Sequence, residues 1–393
     1  MITATQEGIL TLIKSAITGE KYRLPKDFSF EEAVCIAKKH QISNILYYGA
    51  VNCGLDPNSS SMQQLLPNVY KGVTISTQQT FEIDRVLKAF EENGIDYMPL
   101  KGVLLKKMYP KDDMRLMGDA DILIKTEQYD KIKPLMLNLG FTEKIESDHE
   151  FVWYNRSLYL ELHKRLIPSY NKDYYAYFGD GWRLARRAEG YKCRCEMSDN
   201  DNFIYLFTHF AKHYRDAGIG IKHIVDLWVY KRDKSLDEDY LKKELTALCL
   251  YDFYLNVSHT INACFEGQPH DPKTEFLTSV IFNSGVYGTH EAHLISDALK
   301  KTKSTGSVGK TKLQKIRQIV FLPYREMCKK YPILRKCAVL LPIMWCVRWV
   351  SVLLFKRDKI KKRVKDQSLI TAQSVSDYQQ ALIFVGLDFN FKE

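Results

Sequence analysis

The hydrophobic pattern changes rhythm twice. Up to about residue 94 apolar residues recur every three or four positions, between 95 and 165 they alternate or cluster, and from residue 200 the helical spacing returns. Residues 5–17 place Ile9, Leu10, Leu12, Ile13 and Ala16 on one helical face. A second helix is expected after Ser29, with Ala33, Ile36 and Ala37 on one face. Glu31 and Glu32 fall in its first turn, where the helix dipole favours carboxylates. Beyond the polar loop Asp56 to Ser61, a long helical region runs to Glu92; Ile83, Val86, Leu87 and Phe90 form its stripe and Gly94 ends it. None of these segments carries a chemical motif, so residues 1–94 read as a helical lead-in packed on the central segment.

The middle of the chain reads differently. Ile95 to Leu100 predicts a strand, followed by Lys101-Gly102 and a helical run from Val103 to Met108. Ile122-Leu123-Ile124 suits a buried strand, because apolar and β-branched residues between charged neighbours fit a sheet interior. Tyr129, Ile132, Met136 and Leu139 make a helix face ending at Gly140. Phe141 to Ile145, Phe151 to Tyr154 and Leu158 to His163 complete five strands and two helices. The expected class is α+β, a small mixed sheet with a helical lead-in and a helical C-terminal half. The core would span 95–199 and a helical domain 200–299, where Phe203, Leu206, Phe207 and Phe210 repeat at helical spacing. A second helix there, Ile221 to Lys231, carries Asp226. Residues 300–393 would form a separate tail, opening on a Lys/Ser/Thr/Gly-rich linker from Lys300 to Lys312.

The chemistry gathers in the middle segment. Residues two apart in a strand share a face, about 6–7 Å apart, so Asp119 and Asp121 should project together. Adjacent carboxylates repel, and a site that keeps both ionised suits a hard divalent cation. Upstream, Gly102 would let the backbone approach a ligand, and the helix start with Lys101 would favour phosphate. In Leu158 to His163 the leucines take one face and Tyr159, Glu161 and His163 the other. Three carboxylates from neighbouring strands can hold two Mg²⁺ ions. Arg115 precedes the aspartates and reads either as a bidentate phosphate contact or as a bridge between surface acids. His209 and His213 have metal-ligand spacing on a helix, but no Glu follows His209 and no Cys is near, so they read as core or site-edge histidines.

LKG, YP, R-x-x-GDADILI and LELH, in that order, resemble the uncharacterised bacterial nucleotidyltransferases of the polymerase-beta-like superfamily. The resemblance covers roughly residues 1–235, including the H-x-x-x-H helix and a following Asp. It implies that Asp119, Asp121 and Glu161 bind two Mg²⁺ and that the substrate is a nucleoside triphosphate. It further implies transfer of a nucleoside monophosphate to an unidentified hydroxyl acceptor, with release of pyrophosphate. Lys101-Gly102 stands where the wider superfamily carries Gly-Ser. Two other readings of the D-x-D stay open: a metal-dependent glycosyltransferase, and a catalytically degenerate module that binds nucleotide or acts as a membrane-associated scaffold.

Charge changes the picture only for the tail. Residues 300–365 hold twenty Lys/Arg against two acids, whereas the whole chain of 393 residues carries +10. The rest of the chain taken together is therefore net acidic, roughly −8, and no finger or RNP-like motif indicates a nucleic-acid module. The run Cys337 to Phe355, flanked by basic clusters, is 19 residues interrupted by Pro342 and Arg348. It reads as a buried helix, an anchor on anionic lipid through residues 337–365, or a membrane span. Nine scattered cysteines form no CxxC, and residues 1–20 are mixed and polar. A cytoplasmic location is expected, with peripheral attachment to the inner face of the membrane as the alternative.

Overall fold

The computed structural model describes residues 2–286, 288–305, 307, 309, 317, 320–355, 366 and 368–387. They form two compact units, one drawn from residues 1–213, 219–287 and 385–393, the other from 214–218 and 288–384. The architecture is α+β, as the change of rhythm along the chain predicts.

In the first unit the lead-in comprises α1 (Ala4–Thr18), α2 (Phe30–His40), α3 (Ser43–Asn52) and α4 (Ser60–Glu92). Thr3 and Gln6 close a reciprocal cap on α1, and the Ser29 side chain accepts from Glu32 N–H at the start of α2. The predicted α1 face is buried at all five positions. Helix α3 gives no stripe to read, because Ser43 to Asn52 carries no charged face. Gly49 lets it cross α1 closely: a β-carbon there would lie 1.9 Å from the Leu12 carbonyl oxygen.

Five strands come next: β1 (Tyr97–Pro99), β2 (Ala120–Ile124), β3 (Thr142–Glu146), β4 (Glu150–Tyr154) and β5 (Tyr159–His163). Their order is β1-β2-β5-β4-β3, with β2 and β5 parallel and the other neighbours antiparallel. Ala120, Ile122, Ile124, Leu160, Leu162 and Trp153 pack beneath the sheet with Ile83, Val86 and Phe90 of α4 and with α6 (Tyr129–Asn138). Because side chains alternate, the other face of β2 and β5 carries Asp121, Leu123, Glu161 and His163. The helix expected from Val103 to Met108 is shorter. It is one α turn, α5 (Gly102–Leu105), followed by a 3₁₀ turn at Lys106–Met108.

The rest of this unit includes α7 (Lys172–Phe178), a small β6–β7 ladder (Arg186–Arg187 with Cys195–Glu196) and α8 (Asp199–Ala217), which runs past the unit boundary. Helices α9 (Ile221–Asp233), α10 (Glu238–Ala247), α11 (Tyr251–Phe265) and α12 (Pro272–Ser284) complete it. His40 ties three of these elements together. It is fully buried; its Nε2 donates to the Phe282 carbonyl at 3.0 Å, and its Nδ1 accepts from Ile221 N–H at 3.3 Å. The second bond needs a neutral ring, and burial holds the His40 pKa below its ordinary value of 6.5. As pH falls through 6.5 the unfolded chain gains a proton here that the native chain does not, so native stability falls, by about 1.4 kcal/mol per pH unit for one such group. In urea titrations at pH 6.5 and 5.5, His40→Gln should therefore show a fall in stability shallower than wild type by about 1 kcal/mol.

In the second unit, α13 (His290–Thr305) occupies the first part of the predicted linker; residues 306, 308 and 310–312 of that stretch lie outside the described residues. It is joined by α14 (Tyr324–Lys330), α15 (Leu341–Phe355) and α16 (Ala372–Phe384). The Arg215 carbonyl accepts from Ser296 Oγ at 3.0 Å and Tyr378 Oη at 2.9 Å. The apolar run of the tail packs on the segment before it: Leu341, Met344 and Trp345 gather against Met327, Cys328 and Leu334. Trp345 and Trp349 donate to the Leu322 and Val320 carbonyls. Among the described residues no helix is long and apolar enough to cross a membrane. The basic run Lys356 to Lys365 lies outside the described residues.

Candidate active site

A cavity of about 380 Å³ opens over the polar face of β2 and β5. Its lining includes every site residue expected from the sequence: Lys101, Gly102, Arg115, Asp119, Asp121 and Glu161. The parallel register sets Asp121 directly opposite Glu161, with His163 opposite Leu123 one step further along the same face. Ligand atoms of Asp121, Glu161 and His163 all lie within 4.8 Å of one another. Asp119 sits just before β2, exposed at the cavity, while Asp121 is buried at its floor.

Asp121 is held by two neighbours on one oxygen. Lys101 Nζ and His163 Nε2 each lie 2.7 Å from its Oδ1. Burial alone would push this carboxyl up, but the Lys101 charge and the His163 bond outweigh that and hold it below the usual carboxylate range. Lys101 answers in kind: burial disfavours its charge, yet Asp121 raises its pKa above the ordinary lysine value. To reach Asp121, Lys101 adopts φ 44°, ψ −117°, a backbone region that costs a non-glycine residue of order 1–3 kcal/mol. The lysine therefore meets Asp121 charge to charge rather than standing free at a helix start. Gly102 is explained by packing as well, since a β-carbon there would meet Met117 Sδ at 2.7 Å.

The other carboxyls lack such compensation. Burial, followed by the charges of Asp121 and Asp119, pushes Glu161 up to about 8. Asp119 is raised in the same direction by loss of hydration and by Asp121. A cluster with more carboxylate than cation is a donor set that fits a divalent metal ion.

Arg115 is drawn toward α9. Its Nε lies 2.7 Å from Asp226 Oδ1, which also accepts from Tyr109 Oη at 2.7 Å, and all three side chains are buried. One terminal nitrogen of Arg115 donates to the Leu116 carbonyl at 2.8 Å. The far wall of the cavity comes from α8 and α9. There His209 and His213 place their Nε2 atoms 2.8 Å apart, and burial keeps His209 and His223 far below the ordinary histidine pKa. Lys222, pushed down to about 7 chiefly by burial, lies on the same wall.

His149, Glu150, Lys222 and His223 are cavity residues that sequence reasoning missed. His149-Glu150 could have been found, since it opens the strand that pairs with LELH and Glu150 sits opposite His163. Lys222 and His223 offered no such signal, because their helix reads as core.

A mixed sheet that gathers carboxylates under a helical wall is the core of a nucleotidyltransferase fold. Residues 26–266 match the family model described as uncharacterised nucleotidyltransferase, and the chain belongs to that family. No curated protein and no solved structure matches it.

Proposed function

We propose that this protein transfers a nucleoside monophosphate from a nucleoside triphosphate to a hydroxyl acceptor and releases pyrophosphate. The observation that carries the proposal is the register of β2 and β5, which sets Asp121 and Glu161 side by side with Asp119 at the rim of one cavity. Asp119, Asp121 and Glu161 would hold Mg²⁺. The metal would supply charge neutralisation for the triphosphate and a lowered pKa for the acceptor hydroxyl. Asp121 is pre-positioned for that work, because Lys101 and His163 both fix one of its oxygens, Oδ1. Arg115 lines the same cavity, oriented by Asp226, and would meet phosphate oxygens. The acceptor would enter along the α8–α9 wall.

The test is incubation with labelled ATP, CTP, GTP and UTP, Mg²⁺ and cell extract. Label on an acceptor with one pyrophosphate released per transfer supports the reading. Absence of label with all four nucleotides favours a degenerate module. Release of nucleoside diphosphate from a nucleotide sugar favours glycosyl transfer.

We further propose that the tail rests on anionic lipid. In the second unit, Val339, Ile343, Val347 and Val350 turn outward, at 85, 58, 46 and 56 % exposure, whereas Met344 and Trp345 pack against Met327 and Cys328 of α14. Lys329, Lys330, Arg335 and Lys336 precede this face, and seven basic residues follow it between Lys356 and Lys365. Each basic residue near such a surface contributes roughly 1 kcal/mol, an attraction that salt screens. The protein should co-sediment with phosphatidylserine vesicles at low salt and be released at about 0.5 M salt. A variant that places negative charge on the outward face, Ile343→Asp with Val347→Asp, should stay in the supernatant.

A further inference from the structure

We propose a second metal site, distinct from the carboxylate set, formed by His149, Glu150 and His163 and suited to a borderline divalent ion of the Zn²⁺ kind. Ligand atoms of these three residues lie within 4.8 Å of one another. His149 Nε2 and His163 Nδ1 are 3.1 Å apart, and Glu150 Oε2 is 3.9 Å from each of them. A triangle with those sides has a point about 2.1 Å from every corner, the length of a Zn–N or Zn–O bond.

The protonation pattern is compatible with an ion there. His163 Nε2 faces the Asp121 carboxylate at 2.7 Å and so carries the ring proton there. Its Nδ1 is then a lone pair, directed at His149 Nε2. Among the described residues the buried His149 Nδ1 has no hydrogen-bond partner, so it is unsatisfied whether His149 donates to His163 or binds an ion, and it does not choose between the two. An ion between the rings would instead use the lone pairs of His149 Nε2 and His163 Nδ1 together. His163 would then join metal and carboxylate, with Nδ1 on the ion and Nε2–H on Asp121, the arrangement that metal-bound histidines usually adopt.

Donor chemistry separates this site from the Mg²⁺ set. Two imidazoles and one carboxylate suit zinc-like ions, whereas Mg²⁺ prefers oxygen ligands and retained water. Three protein ligands leave a fourth position, and all three residues line the cavity. The ion would lock the tautomer of His163 and, through it, the orientation of Asp121. The proposal stands on this geometry alone and does not require that the chain transfer nucleotides.

The test uses the full chain, stripped with a chelator and then titrated with Co²⁺ and Zn²⁺ in the presence of excess Mg²⁺. One ion per chain should bind, with a visible Co²⁺ absorption band and two imidazole ligands in the X-ray absorption spectrum at the zinc edge. His149→Ala should weaken binding by at least about 100-fold, and Glu150→Gln by about 10-fold or more. Asp119→Asn should leave it intact. Circular dichroism and a urea titration show that each variant is folded. His149→Asn serves if the alanine variant is not. No binding above excess Mg²⁺, oxygen-only ligation, or unchanged affinity in the folded His149 variant would overturn the proposal. So would loss of binding in Asp119→Asn with retention in His149→Ala.

Discussion

Asp119→Asn should lower nucleotidyl transfer on the order of 10³-fold without loss of stability, since it also relieves the repulsion from Asp121. A metal held by this carboxylate would supply several kcal/mol of transition-state stabilisation, and each 1.36 kcal/mol is a factor of ten in rate. Asp119 is exposed at the cavity rim, so its replacement removes no buried partner. Asp121→Asn should cost at least as much activity, but its effect on folding differs. Asp121 is the counter-charge of Lys101 at 2.7 Å, with side-chain exposures of only 6 and 16 %. Removing one member of a buried pair costs about 3–5 kcal/mol, because the other charge stays behind. Glu161→Gln should cost less than either, about 10²-fold in rate, since it weakens the ion without stranding a lysine. The measurements are steady-state pyrophosphate release and urea titration on the three variants. Full activity in Asp119→Asn would move the reacting metal away from this carboxylate.

The contrast between Asp119 and Asp121 also marks where the sequence stops being readable. A period of two places Glu161 and His163 on the face away from the leucines, and the sheet keeps that alternation. The helical stripes of α1 and α4 are equally plain, because each packs one continuous apolar face. Register is a different matter. Nothing local to GDADILI or LELH says that β2 and β5 run parallel with Asp121 opposite Glu161, since that pairing is made across the sheet. The partner of Lys101 was hidden for a related reason. A lysine before a glycine resembles a phosphate contact, and only the turn at φ 44° carries it back to Asp121. His149 left only a faint trace, standing just before a strand candidate, and it is the β4–β5 pairing that brings it against His163, 14 residues on. Arg115 and Asp226 are further apart still, and no pattern of spacing joins them.

That last pair carries the second large effect, expected in stability rather than rate. Arg115 is 8 % exposed and Asp226 7 %, joined at 2.7 Å across 111 residues of chain. Asp226 raises the Arg115 pKa above its ordinary value against the opposing effect of burial, so the guanidinium stays charged at any working pH. Asp226→Ala therefore leaves a fixed cation in a buried setting, together with a Tyr109 hydroxyl that has lost its acceptor. The expected cost is about 3–5 kcal/mol for the stranded charge and about 1–3 kcal/mol more for the unpaired hydroxyl. Tyr109→Phe alone removes the hydroxyl with its need and should cost only about 1 kcal/mol. Replacing Arg115 and Asp226 together by Met and Leu should recover most of the loss, because an ion pair in such a place often contributes little over apolar packing. Activity should not recover with it. If Arg115 meets phosphate, the stable double variant would bind nucleotide weakly. If the arginine only joins α9 to the core, binding would return along with stability. Urea titrations read beside nucleotide affinity in the two single variants and the double variant separate these outcomes.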